Sequence, residues 1–364
     1  AVLPFLGVLT APEQIFQHIH AQHLITALGL TDSAQLILPI TILFMVAVFM
    51  AGIVRLFLLY VVTRLSHAIG ADLSVKIYRR TLYQPYSTHV AHNSSKVING
   101  IITKTDTVIN FILTPALILI SSTVMLVGIV SALFFIDIYV ALSSSISFGL
   151  LYWLIIFYTK NRLKNNSQII ADQSTQAFQS LQEGLGGIRD VLIDGTQKIY
   201  CQLYRNADLL LRRASGNTQF ISGSPKFVME TIGMVLIAGL AYILTKQPGG
   251  IATAIPILGA LALGAQRLLP VLQQAYSSYS LIKGSESSLK DVLDLLDQSL
   301  PEYLNQPTPK PNQFNKEIKL TNLSFRYTKE SPWIFKNVNL SLNKGSHIGF
   351  IGSTGNGKST LLDI

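Results

Sequence analysis

Residues 351 to 360 read Ile-Gly-Ser-Thr-Gly-Asn-Gly-Lys-Ser-Thr, and from Gly352 to Ser359 they satisfy the spacing G-x-x-x-x-G-K-[ST]. Such a run suits chemistry on a polyphosphate, which needs many hydrogen-bond donors at short range. Gly352, Gly355 and Gly357 remove the side chains that would hold backbone N–H groups away from phosphate oxygens, and they let the turn reach positive φ. Ser353, Thr354 and Asn356 would add further backbone N–H donors around the same anion. Lys358 would meet the β- and γ-phosphates of ATP, Ser359 would ligate Mg²⁺, and a helix opening near Lys358 through Thr360 would direct its positive end at the anion. Residues 347 to 351 read as a short apolar strand entering this loop, and STLLDI (359 to 364) as the first turns of a helix leaving it.

The elements that must position the loop are of another composition. Hydrophobic residues make up 49% of the chain and charged residues 13%, well below the roughly 25% charged residues of soluble domains. Mean hydropathy is +0.42. The sequence is that of an integral membrane protein. Residues 1 to 9 (AVLPFLGVL) are too short to cross a bilayer, which takes about 20 apolar residues, and no basic segment precedes them as in a signal peptide. They read as the tail of a first span. Five more spans fall at about 37 to 63, 111 to 135, 138 to 159, 227 to 245 and 251 to 273, with no charge between Asp137 and Lys160.

Charge asymmetry orients these six spans. Residues 10 to 36 and 136 to 137 carry no Lys or Arg and 246 to 250 carries only Lys246, whereas 64 to 105 holds six and 160 to 213 holds eight. Basic and bare segments alternate, so the basic ones and the end of the sixth span lie in the cytoplasm, where ATP is. The formal net charge of +9 is then a consequence of topology, and nucleic acid is not an expected partner. Both basic segments keep helical spacing well past the bilayer. Each is broken once by turn-formers, at Gln84-Pro85-Tyr86-Ser87 (followed by His92-Asn93-Ser94-Ser95) and at Asp194-Gly195-Thr196. These interruptions are either loop tips or short helices that dock on the ATP-binding part; the ATP site favours docking. LKDVLDLL (289 to 296) ends the last helix, and Pro301, Pro307, Pro309 and Pro311 mark a stiff linker. From Glu317 on, 318 to 320, 323 to 327 and 335 to 342 read as three strands.

The order of six spans, a linker, an aromatic at Tyr327 within LSFRY, and FKNVNLSLNKGSHIGFIGSTGNGKST resembles an ABC exporter half-transporter. The resemblance covers essentially the whole chain. It implies a multi-pass α-helical membrane domain (1–300), a linker (301–316) and the N-terminal part of an α/β P-loop ATPase domain (317–364). It also implies that Tyr327 stacks on adenine, that two chains form a homodimer or heterodimer, and that ATP with Mg²⁺ drives alternating access. The Q-loop, signature motif, Walker B aspartate, catalytic glutamate and switch histidine of that family follow the phosphate loop. The 364 residues given therefore contain no catalytic residue and are expected not to hydrolyse ATP alone. Gln84-Pro85-Tyr86 with Asn93-Ser94-Ser95, Ser224-Pro225-Lys226 with Glu230, and Arg267-Leu268-Leu269-Pro270 with Gln273-Gln274 are similar to bacterial inner-membrane exporters that flip lipid-linked oligosaccharides. The expected activity is thus export or flipping of an amphipathic or lipid-linked substrate across the plasma membrane. Peptide or multidrug export is the alternative on the same scaffold, and a non-pumping nucleotide-binding regulator is a further one.

Ionisable groups inside a span are costly and often functional. Arg55, Arg267 and Glu230 qualify. Counted from the external ends, the two arginines lie roughly 24 to 27 Å deep at about 1.5 Å per residue, and Glu230 enters from the inner side. They either snorkel and pair structurally, Arg267 with Glu230, or face a cavity where the arginines meet an anionic headgroup such as a pyrophosphate. His18, His20 and His23 in the external segment lack a carboxylate or thiol at ligand spacing and read as an ordinary polar loop. Cys201 is the single cysteine, which leaves no intrachain disulfide within these residues and no C-x-x-C motif.

Overall fold

The computed structural model describes residues 35, 37–91, 93–136, 138–245, 250–301, 313–327 and 330–364. The segment read as a first span (1 to 9), the three external histidines and prolines 307, 309 and 311 lie outside the described residues. The chain divides into two units, one of residues 1–79 with 95–297 and one of residues 80–94 with 298–364.

The first unit is helical. α1 (Ile37–Leu82) runs for 46 residues and hands over, through the second unit's α2 (Tyr86–Ala91), to α3 (Ser94–Asn99). α3 continues through a π-helical turn at Gly100–Lys104 into α4 (Thr105–Val108), and through a second at Ile109–Leu113 into α5 (Thr114–Ile136). α6 (Ile138–Gly186) and α8 (Gln197–Thr245) are 49 residues each, joined by the short α7 (Ile188–Ile193). α9 (Gly250–Gly284) and α10 (Glu286–Leu296) complete the unit. At about 1.5 Å per residue the three longest helices reach roughly 70 Å, more than twice a hydrocarbon core of about 30 Å. Their apolar halves fit the spans read from hydropathy, and their polar halves are the extensions that the basic segments predicted.

The most apolar 18 residues of α1 include no buried residue. In water so many bare Leu, Phe and Val side chains would oppose folding at about 25 cal/mol per Å²; against lipid tails they cost nothing, which is what a span requires. Packing instead lies where helices cross. α8 lies along α6 and α9, and α9 also packs on α5. Phe148, Tyr152, Met229 and Tyr276 form one buried cluster between α6, α8 and α9. Ile77, Val108, Ile112 and Val292 form a second, between α1, the α4 region and α10. Beside it the Lys104 side chain, 4% exposed, is paired with Asp291 of α10. Two glycines make close crossings possible: a Cβ on Gly284 would stand 2.4 Å from Thr218 Cγ2, and one on Gly100 would stand 2.5 Å from Leu295 Cδ1.

The second unit joins α2 to the C-terminal segment. Arg80 Nη1 donates to the Gln298 carbonyl at 3.0 Å, and Gln84 Nε2 donates to the Ser299 carbonyl at 2.9 Å. The turn-formers at 84 to 87 therefore begin in a stretch bonded to residues 298 and 299 and introduce the short α2. β1 (Glu317–Phe325) and β2 (Phe335–Asn343) pair antiparallel, from Glu317 opposite Asn343 to Phe325 opposite Phe335. Two of the sequence readings are corrected here. The separate strands expected at 318 to 320 and 323 to 327 are one strand with shifts in register on both sides of Leu323, where Asn322 takes a left-handed φ of 52° and donates its backbone N–H to Asn339 Oδ1 at 2.8 Å. Asn tolerates that conformation, so the chain kinks without ending the ladder. Residues 347 to 351 are not a strand either. Ile351 is 100% exposed, and an apolar run of this kind pairs only when neighbours flank it on both sides; none does so among the described residues.

Candidate functional site

The loop read from the sequence has the backbone that its glycines permit. Gly355 adopts φ 91° and Gly357 φ 75°, both left-handed. Gly357 is fixed by space as well as by φ, because a Cβ there would stand 2.6 Å from Ile334 Cγ2 and 2.9 Å from Phe335 Cζ. The start of β2 thus presses on the back of the loop and admits no side chain at this position. The Asn356 N–H bonds the Ser353 carbonyl at 3.3 Å, closing the turn, and the Leu361 N–H bonds the Gly357 carbonyl at 2.9 Å, opening α11 (Lys358–Asp363).

Lys358 folds back over the loop. Its Nζ donates to the carbonyls of Gly352 at 2.7 Å and Ser353 at 2.8 Å. The ammonium is therefore held at the loop's mouth by neutral acceptors, which a phosphate oxygen can replace with a stronger charge-assisted bond. Ser353, Thr354, Asn356 and Ser359 are exposed around that mouth and Thr360 is buried behind it, 8% exposed. Tyr327 reaches the same place: its hydroxyl lies 3.0 Å from Thr360 Oγ1, and its ring meets Phe325 edge-on with centroids 5.2 Å apart. Tyr327 as a whole is 38% exposed. Pro85 and Tyr86 line a cleft with Phe325, Tyr327, Thr360 and Asp363, all within the second unit. No group of three or more His, Cys, Asp or Glu side chains able to hold a metal ion occurs among the described residues; the Ser359 hydroxyl stands exposed at the loop's mouth.

Two of the three charges expected inside the spans are described. Arg55 is exposed on α1. Glu230 is exposed on α8 and lines a cavity of about 150 Å³ with Tyr152, Lys226, Met229, Leu269, Pro270 and Gln273. The side chain of Arg267 lies outside the described residues. Tyr152 and Gln273 were not identified from sequence as belonging with Glu230, whereas Lys226 was grouped with it. Their one sequence signal is that Gln273 falls inside the motif around Pro270.

Long paired helices with bare apolar flanks, followed along the chain by a glycine-built loop of the phosphate-loop pattern, define a helical membrane module continued in sequence by a phosphate-loop segment. Comparison with known proteins gives that class a family. Residues 4–248 match the ABC transporter transmembrane region, and the chain belongs to that family. Its fold is that of the ABC exporter membrane domain: a solved bacterial Atm1-family ABC exporter with ATP bound superposes with a TM-score of 0.68 at 15% identity, covering 99% of this chain and 64% of that one. Among curated proteins, the ATP-dependent lipid A-core flippase of Chromohalobacter salexigens is 22% identical over 352 residues, 94% of this chain and 58% of the flippase. The alpha-hemolysin translocation ATP-binding protein of Escherichia coli is 35% identical over 104 residues, 28% of this chain and 14% of that protein. The chain thus spans less than two thirds of the relatives it matches.

Proposed function

We propose that the protein to which this chain belongs is an ATP-driven exporter or flippase of the plasma membrane, working as a homodimer or heterodimer of half-transporters with the phosphate loop in the cytoplasm. The observation that carries the reading is the loop itself: two left-handed glycines, one of them sealed by Ile334 and Phe335, present Lys358 and Ser359 at an open mouth on a chain whose described residues include two helices long and apolar enough to cross a membrane. Lys358 would leave the Gly352 and Ser353 carbonyls for the β- and γ-phosphates, Ser359 would hold Mg²⁺, and the Tyr327 ring would stack on adenine. Arg80 at the end of α1 and Gln84 just before α2, both bonded to the segment beyond α10, would carry the nucleotide-dependent movement to α1.

The transported molecule we assign is a lipid-linked oligosaccharide or a related saccharide-bearing lipid, taken from the cytoplasmic leaflet. A relative named for lipid A-core flipping that aligns over 94% of this chain supports a glycolipid, and Arg55 and Arg267 at the inner-leaflet depth supply cations for its phosphates. The test is ATP hydrolysis by the full-length gene product in liposomes, with and without a polyprenyl-pyrophosphate oligosaccharide, and with Lys358→Ala as control. Stimulation that the control abolishes is the expected result. Lys358-dependent hydrolysis that ignores the lipid would overturn the substrate and leave the pump, and Lys358-independent hydrolysis would overturn both.

A further inference from the structure

We infer that the cavity between α6, α8 and α9 is a binding site for a zwitterionic phospholipid headgroup, a phosphate carrying a primary ammonium. Its depth follows from counting along the helices. Tyr152 is 14 residues from the external start of α6, Glu230 is 15 from the external end of α8, and Gln273 is 23 from the start of α9. At about 1.5 Å per residue these lie roughly 21 to 35 Å below the external boundary. A hydrocarbon core is about 30 Å thick, so the cavity straddles its cytoplasmic edge, where headgroups begin.

The lining sorts into an apolar back and a polar mouth. Met229, 1% exposed, and Leu269 close the back. Lys226 and Glu230, one helical turn apart on α8, are exposed at the mouth. Opposite charges at this spacing ordinarily meet, yet among the described residues they make no ion pair with each other. Pro225 precedes the pair inside the helix, and the Lys226 ammonium turns toward the Phe227 ring, 6.0 Å from its centroid. Two unlike charges held apart at the level of the headgroups match a ligand that carries both. The half-buried Gln273 adds an amide that donates and accepts. The Tyr152 hydroxyl, in the same wall, is buried and has no hydrogen-bond partner among the described residues, so a polar guest atom would satisfy it.

These groups select among headgroups. The phosphate would take Lys226, the Gln273 amide and the Tyr152 hydroxyl, and the ammonium would take Glu230. A phosphoethanolamine group fits the cavity of about 150 Å³, which at about 10 to 15 Å³ per water-sized position holds on the order of ten small groups. A choline headgroup is bulkier and its quaternary nitrogen has no N–H to give Glu230. A glycerol headgroup leaves Glu230 facing a net negative ligand. The site is separate from the phosphate loop, and binding to it needs no ATP, so its failure and the failure of the transport reading are distinguishable.

The experiment is native mass spectrometry of the full-length protein in detergent, with equimolar phosphatidylethanolamine, phosphatidylcholine and phosphatidylglycerol of the same acyl chains. About tenfold preferential retention of the ethanolamine lipid is expected. Glu230→Gln should erase its preference over the choline lipid, and Lys226→Met should weaken all three. Both residues are exposed, so both variants should fold, which an unchanged melting temperature checks. Soluble O-phosphoethanolamine at millimolar concentration separates the sources: displacement of the lipid assigns the site to the headgroup chemistry alone, and persistence of the lipid assigns it to the membrane-borne form. Equal retention of all three lipids by the unaltered protein, or a preference untouched by both substitutions, would overturn the inference.

Discussion

Removing Asp291 should harm this protein far more than removing the lysine it holds. The Lys104 side chain is 4% exposed and that of Asp291 30%, and the two form an ion pair between the first π-helical turn and α10. In Asp291→Asn the ammonium stays buried opposite a neutral amide. Breaking a buried pair by deleting one partner costs about 3 to 5 kcal/mol, and the water reaching Asp291 argues for the lower end, about 3 kcal/mol. In Lys104→Met the buried charge itself is gone, the methylene stem is largely replaced, and the carboxylate left behind is already partly hydrated, so the cost is about 1 kcal/mol or less. At about 2 °C per kcal/mol for a unit of this size, Asp291→Asn should lower the apparent melting temperature by roughly 6 °C and Lys104→Met by less than about 2 °C. The assay is differential scanning fluorimetry of the detergent-solubilised full-length protein at one fixed scan rate, because unfolding of such a protein is read as a rate. Equal shifts, or a larger loss for Lys104→Met, would refute the argument that the desolvated ammonium is what Asp291 compensates.

Gly357→Ala combines a left-handed φ of 75° with a Cβ placed 2.6 Å from Ile334 Cγ2; at about 1 to 2 kcal/mol for the backbone and 1 to 3 for the overpacking, nucleotide affinity measured by fluorescent ATP titration should fall at least about thirtyfold. Tyr327→Phe keeps the ring and removes only the hydroxyl that meets Thr360 at 3.0 Å, so it should cost about 1 kcal/mol of stability while nucleotide affinity stays within about threefold; Tyr327→Ala should lose affinity outright. Gly284→Ala drives a methyl to 2.4 Å from the stiff, β-branched Thr218, and the α8–α9 crossing should then lose about 1 to 3 kcal/mol, visible as a lower melting temperature with the loop's nucleotide affinity unchanged.

The parts of the molecule legible in the sequence are those whose cause is local. Gly352 to Ser359 declare a phosphate loop because each residue's role depends on neighbours within eight positions, and the structure gives Gly355 and Gly357 the positive φ that this role demands. The long helices were legible because apolar runs flanked by breaker-free polar segments leave a chain in lipid little choice. The β1 kink was misread as a gap between two strands, because Thr321-Asn322 looks like a turn until Asn339 on the facing strand holds the bulge in place. Nothing near Lys104 announces Asp291, which is 187 residues away. Nor does Tyr152 announce Glu230 and Gln273: three helices must cross before those side chains share a cavity, and hydropathy records only that each helix is apolar.

The two 49-residue helices make the fold a mechanical amplifier. At about 1.5 Å per residue each is a rod of roughly 73 Å, and a tilt of only about 5° around one end would sweep the opposite tip through roughly 6 Å. Those tips meet at α7 and the Asp194-Gly195-Thr196 turn, where the Gly187 and Thr196 ends are clasped by backbone bonds to Glu183 at 3.0 Å and Val191 at 3.1 Å. A displacement too small to disturb side-chain packing at one end therefore arrives at the other as a stroke about as long as one turn of helix.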